Sequence, residues 1–319
     1  MKRFGNIYQN ICTIENLTLA EKNARKGKKH QHGVKVFDRD PVGNILKANE
    51  MLVNKTYRTS EYKTFPIYEP KERIIFSLKY FPDRIIQHSA MLQLEPIFYK
   101  LYTADTYSCI KGRGIRGAAN ALKKALKDVP GTTFCLKLDI KKFYPSVDHR
   151  ILKQLLRRKF KDADHIDFMD EIINSAPGLP IGNYMSQHFA NFYLTLFDHW
   201  IKEKMRVKYY FRYMDDMVIL SDSKEFLHNL LIEIKKYLSE QLNLTVKGNH
   251  QVFPVWSRGI DFVGYVFYHT HIRLRKTIKK NFARMIALNK NEKSINSYMG
   301  WLMYGNCNHL IKTLLNEAV

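Results

Sequence analysis

The chain has 319 residues, of which 45% are hydrophobic and 13% aromatic, and its formal net charge is +22. This length suffices for a large core or for two to three subdomains. Lysine and arginine are spread along the chain between aromatic residues, which favours an extended polyanion-binding surface over a merely solvated charged one. The cysteines, at positions 12, 109, 135 and 307, lack the paired spacing of a zinc site or disulfide framework. A reducing compartment is therefore indicated.

The hydrophobic pattern contains no secretory or membrane-spanning signal. The N-terminus lacks an apolar core of the kind found in signal peptides, and no apolar run approaches about 18 residues. We therefore expect a cytoplasmic protein that does not enter a membrane.

The first third of the chain alternates helical and proline-bounded segments. Helical patterns run from Ile7 to Ala24 and from Asp40 to Val53, with a basic stretch between them. Three prolines, at 66, 70 and 82, then delimit short predicted strands, and a helix is predicted to begin near Asp83.

A glycine-rich basic segment follows, with the sequence CIKGRGIRGAANALKKAL. Its glycines at 112, 114 and 117 precede an alanine-rich helix but follow no strand of a βαβ unit. A dinucleotide-binding loop is therefore disfavoured, and a basic turn near a phosphate is the better interpretation.

The segment FCLKLDIKKFYPSVDH (134–149) alternates apolar and polar residues up to Asp139, as a strand with one buried face does. Its acid lies at the strand end. Helical patterns follow at His149 to Phe160 and Ile166 to Asn174, then the Gly/Pro loop APGLPIGN. A long amphipathic helix is predicted from Met185 to Met205.

Two adjacent acids, Asp215 and Asp216, interrupt the apolar run FRYMDDMVIL, whose only other charge is Arg212. The flanking residues predict two buried strands, which places the acids at the tip of a hairpin. Adjacent ionised carboxylates resist desolvation unless a cation neutralises them, so an oxygen-preferring metal is one explanation. A solvated acidic turn remains the alternative from this stretch alone.

The last part of the chain contains a helix, a strand pair and a basic helical region. Asp222 and Glu225 resemble a capping box that opens a helix over 223–241. GIDFVGYVFY predicts two strands, and 270–319 is basic with a helical pattern.

The order of these features is informative: a strand acid at Asp139, a helix, a Gly/Pro loop with a helix, and then the hairpin acids. This order resembles the palm of a reverse transcriptase, and YMDD at 213–216 resembles that family's signature hairpin. The resemblance extends from about Tyr68 to Arg275 through several motifs. PKERIIF is similar to the fingers strand, LDIKKFYPSVDH to the first palm motif, GLPIGNYMSQHFANFYL to the loop and helix that brace template and nucleotide, and GIDFVGYVF to the primer grip.

The resemblance implies an α+β, right-hand polymerase fold. A helical N-terminal extension would occupy 1–60 and fingers 61–133. The palm, an antiparallel sheet with the YMDD hairpin packed on helices, would occupy 134–269 with a fingers insertion around 150–180. A short helical thumb would occupy 270–319.

The resemblance also implies catalysis with two Mg²⁺ ions, which Mn²⁺ could replace, about 3.5–4 Å apart. Asp139 and Asp215 would bridge both ions, Asp216 would be a weaker or outer ligand, and Ile140 would complete the metal site. Lys247 is the nearest candidate proton donor for pyrophosphate, although VKGNHQV departs from the family's usual lysine context.

Six residues would contact the incoming dNTP by the same resemblance: Lys71, Arg73, Tyr144, Ile181, Gly182 and Gln187. Arg73 and Lys71 would neutralise the triphosphate, with solvated surface charges as the alternative. Tyr144 would be the aromatic gate that excludes a ribose 2′-OH, with ordinary core packing as the alternative. Six basic residues would contact nucleic acid: Lys111, Arg113, Arg116, Arg273, Arg275 and Lys276.

The subtype is suggested by Pro180-Ile181-Gly182, where retroviral and group II intron enzymes typically have Pro-Gln-Gly. Together with Ser186-Gln187, YSCIKGRGIRGA and SRGIDFVGY, this tripeptide makes the chain resemble the reverse transcriptases of diversity-generating retroelements in bacteria and phages. That resemblance implies error-prone copying of template-repeat RNA, with errors at adenines, and replacement of a variable repeat in a target gene by the cDNA. It also implies a small basic helical accessory protein, pentameric in known members, and a bacterial or phage-infected cytoplasm.

Three alternatives remain. A retron-like or phage-defence reverse transcriptase shares the same palm but makes a different cDNA. A catalytically idle RNA-binding module is disfavoured by the complete set of three aspartates, and an RNA-dependent RNA polymerase is disfavoured by Tyr144.

Overall fold

The computed structural model describes residues 3–68, 72–288, 292–305 and 307–316. Helices and antiparallel strands alternate along these residues, in agreement with the predicted α+β class. The helices are α1 Tyr8–Cys12, α2 Ile14–Ala24, α3 His32–Phe37, α4 Pro41–Val53, α5 Ile85–Leu101, α6 Gly114–Ala125, α7 Phe143–Ser146, α8 His149–Lys159, α9 Ala163–Asn174, α10 Ser186–Tyr193, α11 Thr195–His199, α12 Lys224–Leu242, α13 Val255–Arg258, α14 Lys276–Ala287, α15 Glu292–Tyr304 and α16 Asn308–Asn316. The strands are β1 Lys63–Ile67, β2 Arg73–Ser77, β3 Phe134–Asp139, β4 Tyr209–Tyr213, β5 Asp216–Ser221, β6 Gln251–Pro254, β7 Ile260–Phe262, β8 Tyr265–Phe267 and β9 Ile272–Leu274.

The chain divides into two compact units. The first consists of Met1–Thr103, Lys141–Asp198 and Tyr237–Thr245. It contains the antiparallel β1–β2 pair and most of the helices that precede β4. Helix α5 is buried throughout 85–91, including the polar Gln87, His88 and Ser89, and its apolar residues Leu94 and Phe98 are fully enclosed.

The second unit consists of Ala104–Ile140, His199–Lys236 and Val246–Val319. A four-stranded antiparallel sheet in the order β4-β5-β3-β6 lies at its centre, and β7, β8 and β9 form a second antiparallel sheet. A continuous apolar core joins one side of α6 to both sheets and to the C-terminal helices. None of the helices in the described residues is long and apolar enough to cross a membrane.

Side-chain caps lie at the start of several helices of the first unit, where a polar segment gives way to helical spacing of apolar residues. The Asp40 carboxylate accepts a hydrogen bond from the Gly43 N–H at 2.9 Å, and Asp148 accepts one from the Arg150 N–H at 2.8 Å. Asp162 caps α9 and also accepts the Ile7 N–H at 2.8 Å, so one carboxylate ties the N-terminal helix to α9. Such caps stabilise a helix by about 1 kcal/mol each.

Four details of the predicted elements are wrong. The basic stretch includes a short helix, α3, and Pro66 lies inside β1, where an outer strand tolerates a residue without an N–H. The α12 cap is Ser223, whose hydroxyl accepts the Phe226 N–H at 3.1 Å, and not the predicted Asp222. The region after residue 270 begins with β9 before its helices.

A further error is the single helix predicted over 185–205. It is divided into α10, α11 and a π-helical turn at Trp200–Lys204. The break lies at Leu194, where the Thr195 hydroxyl donates to the Asn191 carbonyl at 3.1 Å. A hydroxyl bonded to the backbone in this way bends helices.

Candidate active site

The three predicted catalytic aspartates lie on neighbouring strands of the second unit. Asp139 is the last residue of β3 and is directly opposite Asp216, the first residue of β5. Asp215 lies in the tight turn between β4 and β5, next to Met214, whose backbone φ is +57°. The sheet register therefore places the strand acid and the hairpin acids together, as the sequence predicted.

The hairpin turn is held by a buried arginine whose role sequence reasoning missed. Arg212 is fully buried, and its guanidinium donates to the Met214 carbonyl at 3.0 Å and to the Thr106 hydroxyl at 3.4 Å. Its backbone N–H donates to the Asp105 carbonyl at 2.9 Å. The signal was present, because Arg212 is the only charge besides the acids in the apolar hairpin.

The carboxylates share a desolvated environment that disfavours negative charge. Burial, and then the neighbouring Asp139 carboxylate with which it can share a proton, raise the pKa of Asp215 to about 7. Burial also raises the pKa of Asp216, although the Lys137 ammonium opposes this shift. Lys137 forms an ion pair with Asp216, and Lys247 forms one with Asp139.

These aspartates fit a divalent cation by one direct observation. The Oδ1 atom of Asp139 is buried and accepts no hydrogen bond from a protein donor, while the adjacent Asp215 carboxyl resists ionisation. Both properties are expected of oxygen ligands that await a cation. Within the described ranges no three His, Cys, Asp or Glu side chains lie close enough together to form a metal cluster. The carboxylates bonded to Lys137 and Lys247 would have to exchange a lysine for the metal.

Two further predicted residues lie beside Asp139. Ile140, the predicted fourth metal-site residue, forms an isolated antiparallel bridge with Val246. The Lys247 backbone N–H donates to the Asp139 carbonyl at 2.8 Å, so main chain and side chain of this lysine both contact the aspartate.

The predicted nucleotide-contacting residues lie in the first unit, where three segments meet. The Phe76 N–H on β2 donates to the Ile181 carbonyl at 2.7 Å, and the Leu179 N–H donates to the Tyr144 carbonyl at 2.8 Å. These bonds bring together the strand that Arg73 begins, the short helix that contains Tyr144 and the Gly/Pro loop. Arg73, Gly182 and Gln187 are exposed, and Tyr144 and Ile181 are half-buried. Lys71 lies outside the described residues.

The residues predicted to contact nucleic acid differ in whether their positively charged groups already interact with other protein groups. Lys111, Arg116 and Lys276 are exposed. The Arg113 guanidinium donates to the Thr106 carbonyl at 2.8 Å, the Arg273 guanidinium lies 5.2 Å from the Tyr268 ring centre, and Arg275 pairs with Asp261.

Comparison with known proteins decides the family. The sequence profile of the family described as reverse transcriptase (RNA-dependent DNA polymerase) matches residues 66–267, more than half of the chain. The chain belongs to the reverse transcriptase family. This result confirms the predicted enzyme class, an RNA-directed DNA polymerase, which acts on template RNA, primer and dNTPs and uses divalent metal ions.

Relatives of this reverse transcriptase domain include proteins from bacteria and yeast. The chain is 22% identical to protein YkfC of Escherichia coli strain K12, over 90% of this chain and 86% of YkfC. It is 20% identical to the putative COX1/OXI3 intron 2 protein of Saccharomyces cerevisiae, over 71% of this chain but only 35% of that protein.

The fold also resembles that of a solved reverse transcriptase structure. The apo telomerase of Candida tropicalis matches with a TM-score of 0.52 and 13% identity, over 88% of this chain and 64% of the telomerase chain. The predicted right-hand polymerase fold is therefore confirmed. The boundaries predicted for fingers, palm and thumb stay predictions.

Proposed function

We propose that this chain synthesises error-prone cDNA from a template-repeat RNA, as the reverse transcriptase of a diversity-generating retroelement. The observation that carries the polymerase function is the group of half-buried carboxylates, in which Asp139 is opposite Asp216 in the sheet register and burial, then the Asp139 carboxylate, raise the pKa of Asp215. The subtype is supported by the sequence, above all Pro180-Ile181-Gly182 and the segment SRGIDFVGY. A structured template RNA and a small basic helical accessory protein, pentameric as in known members, are its proposed partners.

In this proposal Asp139 and Asp215 hold two Mg²⁺ ions, with Asp216 in an outer position and Ile140 contributing through its backbone. The bound ions would stabilise charge on the attacking and leaving oxygens of nucleotidyl transfer. The protein's part is to keep these carboxylates correctly placed. Arg212 does so by fixing the Met214 carbonyl next to Asp215. Lys247, bonded to Asp139 in the structure, is the candidate to move a proton towards pyrophosphate.

Residues of the first unit would bind and select the nucleotide. Arg73 and Lys71 would neutralise the triphosphate, and the Tyr144 ring would exclude a 2′-OH. Ile181, Gly182 and Gln187 would brace the nascent base pair. The loop that carries Ile181 is well suited to this role because its backbone is hydrogen-bonded to the same strand, β2, that Arg73 begins.

The decisive experiment replaces the hairpin acids by their amides. Asp215→Asn with Asp216→Asn should abolish cDNA synthesis, because metal ligation needs anionic oxygen, while RNA binding persists through dispersed Lys and Arg. Asp222→Asn, an exposed aspartate just after β5, is the matched control and should retain synthesis. Normal dNTP incorporation by the double variant would contradict the assignment.

The subtype has its own test. Purified enzyme, with and without a candidate accessory protein, is supplied with the RNA encoded next to its gene, and the cDNA is sequenced. We expect substitutions concentrated at template adenines. Faithful cDNA joined to a structured RNA would instead favour the retron-like alternative.

A further inference from the structure

One side of helix α5 in the first unit presents several hydrogen-bond donors that no protein group accepts. Arg84, at the N-cap, and Gln87 and His88, three and four positions later, lie on the same helix face. The Arg84 Nε, Gln87 Nε2 and His88 Nε2 atoms are buried and have no hydrogen-bond partner in the part of the chain that the structure describes. Buried polar atoms are nearly always paired, so three adjacent exceptions indicate a missing acceptor.

Tyr184 fixes the orientation of two of these side chains. Its ring stacks on the His88 ring with centroids 3.9 Å apart and planes 12° apart. Its backbone N–H donates to the Gln87 Oε1 at 3.3 Å, which commits the amide oxygen and leaves the amide nitrogen as a donor. We call Lys28, Arg84, Gln87, His88 and Tyr184 the Arg84 cluster.

The cluster carries positive charge that no acid of the described residues pairs with. Burial, and then Arg84, lower the pKa of Lys28, and burial lowers the pKa of Arg84, whose remaining ionisable neighbours are Tyr80 and Tyr184. Burial lowers the pKa of His88 to about 3, so this ring is neutral at pH 7. The two partly desolvated cations repel each other, so an anion near both would stabilise them.

The nearest acids, Asp83 just before α5 and Glu95 within it, have other hydrogen-bond partners. The Asp83 Oδ1 accepts hydrogen bonds from the Tyr57 hydroxyl and the Ser60 N–H, both at 3.0 Å, while its Oδ2 is buried and has no partner among the described residues. Glu95 accepts the Tyr184 hydroxyl at 3.3 Å and lies 3.7 Å from the His188 Nε2. Neither contributes to the pKa shifts of Lys28 or Arg84.

We propose that the Arg84 cluster binds one backbone phosphate of a nucleic-acid strand. Two cations match a phosphodiester, with a single negative charge, better than a triphosphate with about four. Lys28, Arg84 and Tyr184 are partly exposed, so a strand passing over the surface can place a phosphate against the two cations, whereas Gln87 and His88 are buried. The inference rests on the proposed polymerase function and assigns a phosphate contact separate from the residues predicted above.

The first test measures RNA affinity of the full chain as a function of salt, with a labelled single-stranded RNA. Arg84→Gln and Lys28→Gln should each weaken binding about tenfold at physiological salt, since a charge-assisted contact is lost. Each should also lower the slope of log affinity against log salt by about 0.7. The matched control is Arg157→Gln, an equal charge change at an exposed arginine already paired with Asp170, which should bind as the parent does.

A second test replaces the RNA phosphates one at a time by neutral methylphosphonates. At one position the methylphosphonate should weaken RNA binding by the parent protein. The same substitution should weaken RNA binding by Arg84→Gln little further, because that contact is already gone. Additive losses at every position would overturn the proposal. So would an unchanged RNA affinity with a raised KM for dNTP, which would mean that the cluster holds the triphosphate.

Thermal unfolding without RNA separates this role from a structural one. Removing an unneutralised cation should leave the melting temperature unchanged or higher, whereas a structural Arg84 would give a lower one. A lower melting temperature in both variants with parental RNA affinity would overturn the proposal. If the parent bound no RNA, the polymerase proposal itself would fail, whereas parental binding in both variants would reject only the Arg84 cluster.

Discussion

At the scale of single residues, the raised pKa of Asp215 predicts an unusual dependence of stability on pH. The folded state holds the proton up to about pH 7, whereas the unfolded chain releases it near pH 3.9. Between these values the folded state binds more protons at this group, so the contribution of Asp215 to the free energy of unfolding rises as pH falls from 7 towards 4. The buried rings of His88, His165 and His188, whose pKa values burial lowers, contribute in the opposite direction.

The measurement is urea unfolding at pH 7.5 and pH 5.5 in a chelator. We expect the free energy of unfolding at pH 5.5, taken relative to that at pH 7.5, to be lower in Asp215→Asn than in the parent, because the variant lacks the contribution of this carboxyl group. Added Mg²⁺ should stabilise the parent more at pH 7.5 than at pH 5.5, because a larger fraction of the Asp215 carboxyl is ionised at the higher pH. Equal pH dependence in parent and variant would contradict the environment described for Asp215.

The isoleucine at position 181 leads us to expect low fidelity of nucleotide incorporation. A glutamine in this loop could hydrogen-bond near the incoming nucleotide, whereas isoleucine has neither a donor nor an acceptor in its stiff side chain. Losing a net hydrogen bond of about 0.5–1.5 kcal/mol relaxes selection by several-fold to about tenfold. Ile181→Gln and Ile181→Asn should therefore lower misincorporation opposite template adenine, measured by cDNA sequencing. If Ile181 only packs beneath the loop, the error spectrum will match that of the parent while activity remains.

The residue scale also shows where sequence reasoning succeeds and stops. Asp139, Asp215 and Asp216 could be predicted because charged residues at the ends of apolar strands are conspicuous and their order matches a family. The ion pairs of Lys137 and Lys247 could not, because they depend on which side chains the sheet register and a distant segment bring together. The unpaired donors around Arg84 are invisible in a sequence for the same reason.

At the scale of elements, Gly182 is required by the contact between the Gly/Pro loop and β2. Its φ of +116° is strained for other residues, and an added Cβ would lie 2.5 Å from the Phe76 carbonyl oxygen. Gly182→Ala should therefore displace the loop, with an expected cost of at least about 1–3 kcal/mol in stability. We expect a raised KM for dNTP and a lower melting temperature.

The control for this substitution is Gly300→Ala. Gly300 lies within α15, has an ordinary negative φ and has no atom within 4 Å of an added Cβ. Alanine should be neutral or stabilising there, by up to about 1 kcal/mol. A Gly182→Ala enzyme with parental kinetics would show that the loop does not hold the nucleotide.

Strands with a clear hydrophobic pattern in the sequence lie where they were predicted. The alternation in β3 and the apolar runs of β4 and β5 predicted their positions closely, because each pattern reflects burial on one or both faces. The break at Leu194 was missed because apolar spacing continues through it, and only the Thr195 hydroxyl bond interrupts the helix.

At the scale of the whole molecule, the 52 lysines and arginines overstate the cations available to a polyanion, and the net charge of +22 is what remains after the 30 acids are subtracted. Several cations already have carboxylate partners, including Lys55 with Asp164 and Lys208 with Asp128. Composition predicts the sign and approximate size of the field but cannot tell paired from unpaired cations. With the structure, the expected RNA contacts narrow to the lysines and arginines that have no carboxylate partner among the described residues.

The adjacent residues Arg275 and Lys276 allow this refinement to be tested at nearly the same place. Both were predicted from the sequence to contact nucleic acid, but Arg275 pairs with Asp261, with its Nε donating at 2.9 Å, while Lys276 is exposed. RNA affinity of the parent should fall steeply with salt, because each neutralised phosphate releases condensed counterions. Lys276→Gln should reduce the slope of log affinity against log salt by about 0.7–0.9, and Arg275→Gln should reduce it less. Equal effects of the two substitutions would show that the Asp261 pair opens on binding, and an affinity independent of salt in the parent would show that the basic surface does not bind RNA.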